Sequence, residues 1–409
     1  MLFRGCTCGP SPSSATRRGR FHVDDGSVQD RSSAGLDRRD ALCGMGAAAL
    51  WATIASLAGG AEPARAQKLT TSMPEVDSLS IRVITDSFQQ VFAAPARMGN
   101  VEVQPFSLGL TDKPPRNVLE SEWGVSALLQ TQSGTAQRAV LVDFGYTPET
   151  LINNMAILQI RPEMLDAMLL THGHFDHFGG MAGFLGASKG RFKPSIALYL
   201  GGEEAFCTRE IVVPATPPQS YNFGALDRNA LQSAGVKVVL ADQPALIADH
   251  VVATGPIGER SFEHVTAPTR MSVGLKDGYG CFPEQMPEAK RTARSIPDDF
   301  SHEIAPCVNL RGHGLVVFTG CGHRGIVNTL KQAMAATGVD RIHAVMGGFH
   351  LAPEKDEYVQ ETVAAIKQIN PDFVLPMHCT GELFTRLVEH DMPGKLIRIN
   401  TGTRVVFKA

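Results

Sequence analysis

The sequence predicts an α+β fold, a four-layer αββα sandwich. Three observations predict it. Residues between Ser80 and Asp143 read as mostly antiparallel β. The C-terminal third alternates strand and helix. Between them, Thr171-His172-Gly173-His174-Phe175-Asp176-His177 crowds three imidazoles and a carboxylate beside an apolar run, Ala167-Met168-Leu169-Leu170. Two sheets face to face, with helices on both outer sides, accommodate both halves.

In chain order, Ser80–Asp86 reads as a first strand. Gly124–Gln130 and Ala139–Asp143 read as a hairpin around Ser133-Gly134, β-rich runs bounding a turn pair. Met164–Leu170 leads into the His-rich loop, and Gly179–Gly190 reads as a short helix behind it. Ala197–Leu200 and Val236–Leu240 are further strand candidates. Residues 203–230 are irregular and contain Pro214, Pro217 and Pro218; residues 276–306 are also rich in Pro and Gly. Loops of that length in a compact domain are usually lids or insertions. Gly314–Phe318, Ile342–Met346 and Asp372–Leu375 read as strands. Gly325–Ala335 and Glu354–Ile369 read as helices, the second with Tyr358, Thr362, Ile366 and Ile369 on one face. Leu396–Asn400 and Thr403–Phe407 close the chain.

Residues 1–66 are expected to be an N-terminal extension and signal peptide, and 67–409 the domain, with insertions near 203–230 and 276–306. Residues 1–36 are rich in Ser, Gly and Arg without apolar periodicity. Asp37-Arg38-Arg39-Asp40-Ala41-Leu42 then precedes an uncharged Ala/Gly-rich run, Ala41–Ala61, and a small-residue site, Ala64-Arg65-Ala66. That order describes a secretory signal. The paired arginines and weakly apolar run resemble a twin-arginine (Tat) signal, so a periplasmic or exported location is expected. Such a run is long enough to anchor in a membrane. Its Ala/Gly composition and cleavage site favour removal instead, leaving no stable anchor. Tat export of folded protein would let metal load in the cytoplasm.

The formal net charge is −3. The leader holds eight Arg and six Asp/Glu, leaving 30 basic and 35 acidic residues. Such a balance excludes the basic face of a nucleic-acid binder. Five cysteines remain after the leader: Cys207, Cys281, Cys307, Cys321 and Cys379. An odd number leaves at least one thiol free or facing a metal if the others pair. No C-x-x-C spacing occurs, which argues against a zinc knuckle.

The H-x-H-x-D-H segment carries the chemistry. Imidazole nitrogens and a carboxylate oxygen suit zinc, manganese, iron or cobalt. His172 and His174, two apart, can reach one metal from an extended loop; Asp176 and His177 can hold a second. The bland alternative is a solvated His-rich loop. Three C-terminal strands each end in Gly or Pro before a His: His323, His350 and His378. Sites in α/β sheets gather at strand C-termini. His323 and His378 are expected as ligands and His350 as a substrate contact or catalytic group. His313 and His343 look structural or exposed; His250 and His264 stay undecided. Asp143 ends the strand before the metal loop and would fix the tautomer of a ligating His.

These residues resemble the metallo-β-lactamase superfamily. Asp143, the Thr171–His177 loop and His378 match its sequential motifs. Glu122-Trp123-Gly124-Val125-Ser126, Thr319–Asn328, Gly347-Gly348-Phe349-His350-Leu351 and His378-Cys379-Thr380-Gly381 resemble one branch. That branch is named for an archaeal 7,8-dihydropterin-6-yl-methyl-4-(β-D-ribofuranosyl)aminobenzene 5′-phosphate synthase. The chain departs from it at Trp123, where the branch has His, and at Gly322 and Arg324, where it has Ser and Ala. The superfamily's bridging Asp is replaced by Cys321, expected just behind the ligands, or left empty; His323 is then the substitute ligand.

The leader, the metal-ligand pattern and the resemblance together predict an exported hydrolase of a small, anionic ester, lactone or phosphodiester. Two divalent ions, zinc first with manganese or iron as alternatives, would generate a hydroxide. Asp176 would also take the water's proton. The helix after Gly325 would offer its N-terminus, and Arg324 its charge, to an anionic group. Three other readings stand beside it: a dihydropterin-type condensing enzyme, a mononuclear-iron oxygenase, and a non-catalytic periplasmic binding protein.

Overall fold

The computed structural model describes residues 63–66, 68–69, 72–106, 117–213 and 216–409. The expected Tat signal therefore lies almost wholly outside the described residues. Of its cleavage site, Ala64–Arg65 pair in parallel with Val239 and Leu240 at a sheet edge. No helix among the described residues is long and apolar enough to cross a membrane.

Two sheets form the middle layers. The first is centred on five adjacent strands, in the order Ala167–Leu169, Ala136–Val142, Ser126–Ser133, Ser78–Thr85 and Arg404–Lys408. The second runs through Val251–Ala253, Pro306–Leu310, Gly314–Thr319, Ile342–Gly347 and Phe373–Pro376. The last three of these are parallel, so their C-terminal ends lie on one edge. That edge carries His323, His350 and His378.

Period-two alternation divides the apolar residues among three cores. Ile81, Ala127, Leu129, Val140 and Val142 face Val308, Val316, Phe318, Ala344 and Met346 between the sheets. Leu128, Leu141 and Met168 point the other way, onto α1 (Pro148–Ile157) and past α2 (Phe175–Phe178) onto α3 (Met181–Ala187). Α short helix α4 (Arg228–Ser233) joins that side through Leu231. Leu315, Val317, Ile342 and Val345 pack on α5 (Ile326–Thr337), α6 (Asp356–Ile369) and α7 (Glu382–Asp391). Three cores between four layers are the αββα sandwich.

Three expectations need correction. Residues 203–230 are not irregular: Thr208–Val213 and Gln219–Gly224 pair as a hairpin. Thr269–Ser272 and Ser295–Pro297 extend it into a separate four-stranded sheet. Leu396–Asn400 is no strand; only Leu396 bridges to Val374. The buried stripe of α6 is centred on Val359, Thr362, Val363 and Ile366, with Tyr358 and Ile369 at its margins.

Phe318 is buried where the two sheets meet. Phe318→Ala is expected to cost about 3–5 kcal/mol in urea unfolding, because a closely packed inter-sheet core collapses only partly around the cavity.

Candidate metal centre

The apolar strand Ala167–Leu169 is buried on both faces and delivers Thr171 to the interior. The backbone then turns through His172 to His174 and enters α2, which carries Asp176 and His177. Asp143, at the end of the neighbouring strand, fixes the turn. Its Oδ1 accepts from Thr171 N at 2.8 Å, and its Oδ2 from Thr171 Oγ1 at 2.7 Å. The same Oδ2 lies 2.7 Å from His177 Nδ1, with both side chains fully buried. This contact leaves His177 Nε2 facing inward, 3.1 Å from Cys321 Sγ. Gly320 must lack a Cβ, since one would strike Thr171 Oγ1 and Asp143 Oδ2.

The donor atoms fall into adjoining groups, within each of which they lie within 4.8 Å of one another. One holds His172, His174 and His323; another holds Asp176, His177, Cys321 and His378; a third joins Cys321, His323 and His350. His378 Nε2 lies 3.3 Å from Asp176 Oδ2, and its Nδ1 lies 3.4 Å from Ser87 Oγ. Cys321 therefore stands among the donors, shared by two groups, rather than behind them. It is unpaired, with Cys379 Sγ 3.4 Å away; Cys307 is also free, and Cys207 pairs with Cys281.

Electrostatics match this arrangement at the three-histidine group. Burial, then the charges of neighbouring imidazoles, holds His172 and His323 well below the usual histidine range. Burial likewise lowers His174 to about 4. All three are neutral at pH 7, the state a metal requires. Burial pushes the Asp176 carboxyl up, but the charges of His177 and His378 outweigh it and keep it ionised. His378 is lifted to about 9: burial lowers it, and Cys379 and Asp176 more than reverse that. The residues fit divalent ions on a structural observation: His172 Nε2, His378 Nε2 and both ring nitrogens of His323 are buried without a hydrogen-bond partner. Unpaired buried nitrogens are costly unless something binds them. Asp143, His350 and His378 also hold positive φ of 56°, 48° and 52°, a strain that gathers at functional sites.

The anion site expected at the start of α5 is corrected. Glu263 already fills that N-terminus, its Oε2 accepting from Asn328 N at 3.0 Å. Arg324 is turned away: its Nη1 donates to Asp299 O at 2.6 Å, and its Nη2 lies 3.6 Å from Glu259. Of the other histidines, His343 is buried against Asp372 and His250 against Thr131, while His264 packs on Tyr358. Several residues at the site went unread in the sequence: Ser87, Arg209, Glu263, Asp298, His302 and Glu303. Asp298–Glu303 is dense in titratable groups, the one local signal available. Trp123 is exposed, with its ring 4.8 Å from that of His378. A cavity of about 460 Å³ opens beside His378 and is lined by Ser87, Phe88, Thr385 and Arg398.

Residues 123–280 match the model of the metallo-beta-lactamase superfamily. Over that segment the chain is similar to proteins of the metallo-β-lactamase superfamily, and the sandwich and its donor groups agree with that likeness. The chain is 25% identical over 290 residues to the 7,8-dihydropterin-6-methyl-4-(beta-D-ribofuranosyl)-aminobenzene-5′-phosphate synthase of Methanocaldococcus jannaschii, covering 70% of this chain and 90% of the relative. An uncharacterized protein of that organism is 25% identical over 284 residues, covering 66% and 89%. The solved structure of Tm1679, a metal-dependent hydrolase of the beta-lactamase superfamily, superposes with a TM-score of 0.56 at 24% identity, covering 80% of this chain and 98% of that one. At that identity the likeness shows the fold.

Two predictions follow from this geometry. Asp143→Asn keeps the shape but weakens the hold on Thr171 and His177, so metal affinity in chelator competition should fall about 10–100-fold. Glu263 is pushed up to about 7 by burial, against backbone N–H bonds of α5 that pull it down. A folded value above the ordinary one means its contribution to stability is full at low pH and lost as pH rises through about 7. In urea melts, the stability of Glu263→Gln relative to wild type should therefore climb between pH 4.5 and 7, by on the order of 2–3 kcal/mol, and level off above.

Proposed function

We propose that the protein is an exported metal-dependent hydrolase of a small ester, lactone or phosphodiester. The observation that carries this reading is the pair of adjoining buried donor groups, three histidines beside an Asp-His-Cys-His set. On this reading His172, His174 and His323 hold one divalent ion. Asp176, His177, Cys321 and His378 hold a second. Zinc suits this nitrogen, oxygen and sulfur set, and manganese or iron are alternatives. When bound, such ions would polarise the bond attacked and acidify a water toward neutral pH.

The chain's own residues do the rest. Asp176 stays ionised and can accept a proton at a carboxylate oxygen that does not hold the ion. His350 borders His323, ring centroids 4.2 Å apart. Its imidazole is raised above the ordinary value: burial lowers it, and Cys379 outweighs that. It is placed to hand a proton to a leaving oxygen. Trp123 covers His378 and limits water on that side. With the start of α5 filled by Glu263, recognition of an anionic substrate group falls to the cavity beside His378, where Arg398 is the lining cation.

A second reading is favoured by the similarity to the dihydropterin-aminobenzene-phosphate synthase along 90% of that relative: condensation rather than hydrolysis at the same centre. Elemental analysis and product analysis separate the two. Two zinc or manganese ions per chain, lost in His172→Ala and His378→Ala, with metal-dependent turnover of a phosphodiester or lactone panel, supports the hydrolase. One iron per chain supports an oxygenase instead. Metal without turnover on any panel member, but with product from a pterin pyrophosphate and an aminobenzene ribotide, supports the synthase. No metal after reconstitution overturns both and leaves a binding protein.

A further inference from the structure

The three-histidine group is gripped by a single stretch of chain that the chemistry above leaves unused. Phe300 stacks on His323 with ring centroids 4.1 Å apart and planes 18° from parallel. It meets His174 edge-on at 5.0 Å and lies 6.0 Å from His172. His302 Nε2 accepts from the backbone N of Gly173, between the two loop histidines, at 3.1 Å. Glu303 accepts from His323 N at 2.9 Å and from Arg324 N at 2.8 Å. Ile304 N donates to Thr171 O at 3.0 Å. Each histidine of the group is thus touched, directly or through its neighbouring backbone, by Phe300–Ile304.

A wholly buried arginine fastens that stretch. Arg209 Nε donates to Asp298 Oδ2 at 2.6 Å. Its Nη1 reaches Cys207 O at 2.9 Å, and its Nη2 reaches Glu204 O at 2.8 Å and His302 Nε2 at 3.0 Å. Asp298 in turn accepts from Phe300 N at 2.9 Å, holding a bulky residue at φ 49°. That conformation persists only where the surroundings dictate it. Gly173 lies so close that a Cβ would strike the guanidinium. The second donor group has different support: Asp143 behind His177, Ser87 beside His378 and Cys379 beside Cys321.

We propose that the strap Asp298–Ile304, locked by Arg209, is the positioning element of the three-histidine group and sets the affinity of that ion independently of its neighbour. His302, Phe300 and Glu303 are positioning residues; none is a ligand. The partition follows from geometry. A ligand held to a fraction of an ångström loses affinity when its outer support is removed, commonly by about 10–100-fold; Asp143 braces both groups through Thr171 and His177, but the contacts of Phe300, His302 and Glu303 fall on the three-histidine group. The proposal rests on the two-ion reading of the centre.

The test uses the full chain loaded with zinc or cobalt. In wild type, two ions are titrated by chelator competition, and the cobalt absorption spectrum is recorded at one and two equivalents. His302→Ala is expected to weaken one ion about 10–100-fold and change only its share of the cobalt spectrum. His302→Asn, which keeps an acceptor for Gly173 N, should recover part of the loss. Phe300→Leu fills most of the space without the stacking face and should perturb the same ion, which covers the case in which His302→Ala does not fold. Equal weakening of both ions, or wild-type affinity in both folded variants, overturns the proposal. Failure of wild type itself to take two ions would instead overturn the functional reading beneath it.

Discussion

Asp143 is the contact on which the centre depends. One buried carboxylate, at positive φ, binds the backbone and hydroxyl of Thr171 and the Nδ1 of His177. It sets where the metal loop leaves the sheet and which nitrogen of His177 faces inward. Hydrogen bonding to a ligand's far nitrogen fixes tautomer and ring plane together. Because both loop and carboxylate sit at ends of adjacent parallel strands, the sheet itself supplies the register.

Around that contact the protein carries a cluster that is unfavourable without a ligand. Buried imidazoles with unpaired nitrogens cost free energy, and burial keeps His172, His174 and His323 from protonating for relief. The surrounding layers hold them regardless. The second sheet presents His323, His350 and His378 from three successive strand ends, and the small four-stranded sheet closes the opposite side through Thr269 and Arg209. Cys321 is shared by the Asp176-His177-His378 group and the group of His323 and His350, so one thiol links the two sides of the centre.

Much of this was legible locally. The H-x-H-x-D-H loop, the strand-end histidines and the hairpin about Ser133-Gly134 depend on neighbours in sequence, and the alternating apolar pattern assigns their faces. What was not legible depends on distant partners. The hairpin Thr208–Val213 with Gln219–Gly224 has weak local patterning and is held by pairing to Thr269–Ser272. Leu396–Asn400 has strand-like residues but finds one bridge rather than a ladder. Arg209 and Asp298 are 89 residues apart; no spacing rule links them. Glu263 at the start of α5 is 65 residues from Asn328, so an N-terminus that looked open in sequence is filled in space.

That last difference redirects the question of substrate. A helix N-terminus offers partial positive charge to whatever reaches it first, and here the chain's own carboxylate does. Arg324, the adjacent cation, is held to Asp299 and Glu259. Freeing the start of α5 would leave the buried Glu263 carboxyl without its backbone donors. The cavity beside His378 is lined by Phe88 and Arg398, while the exposed ring of Trp123 packs against the His378 ring. In that cavity wall Arg398 is bound to Glu389 at 3.1 Å, so its charge is partly engaged as well.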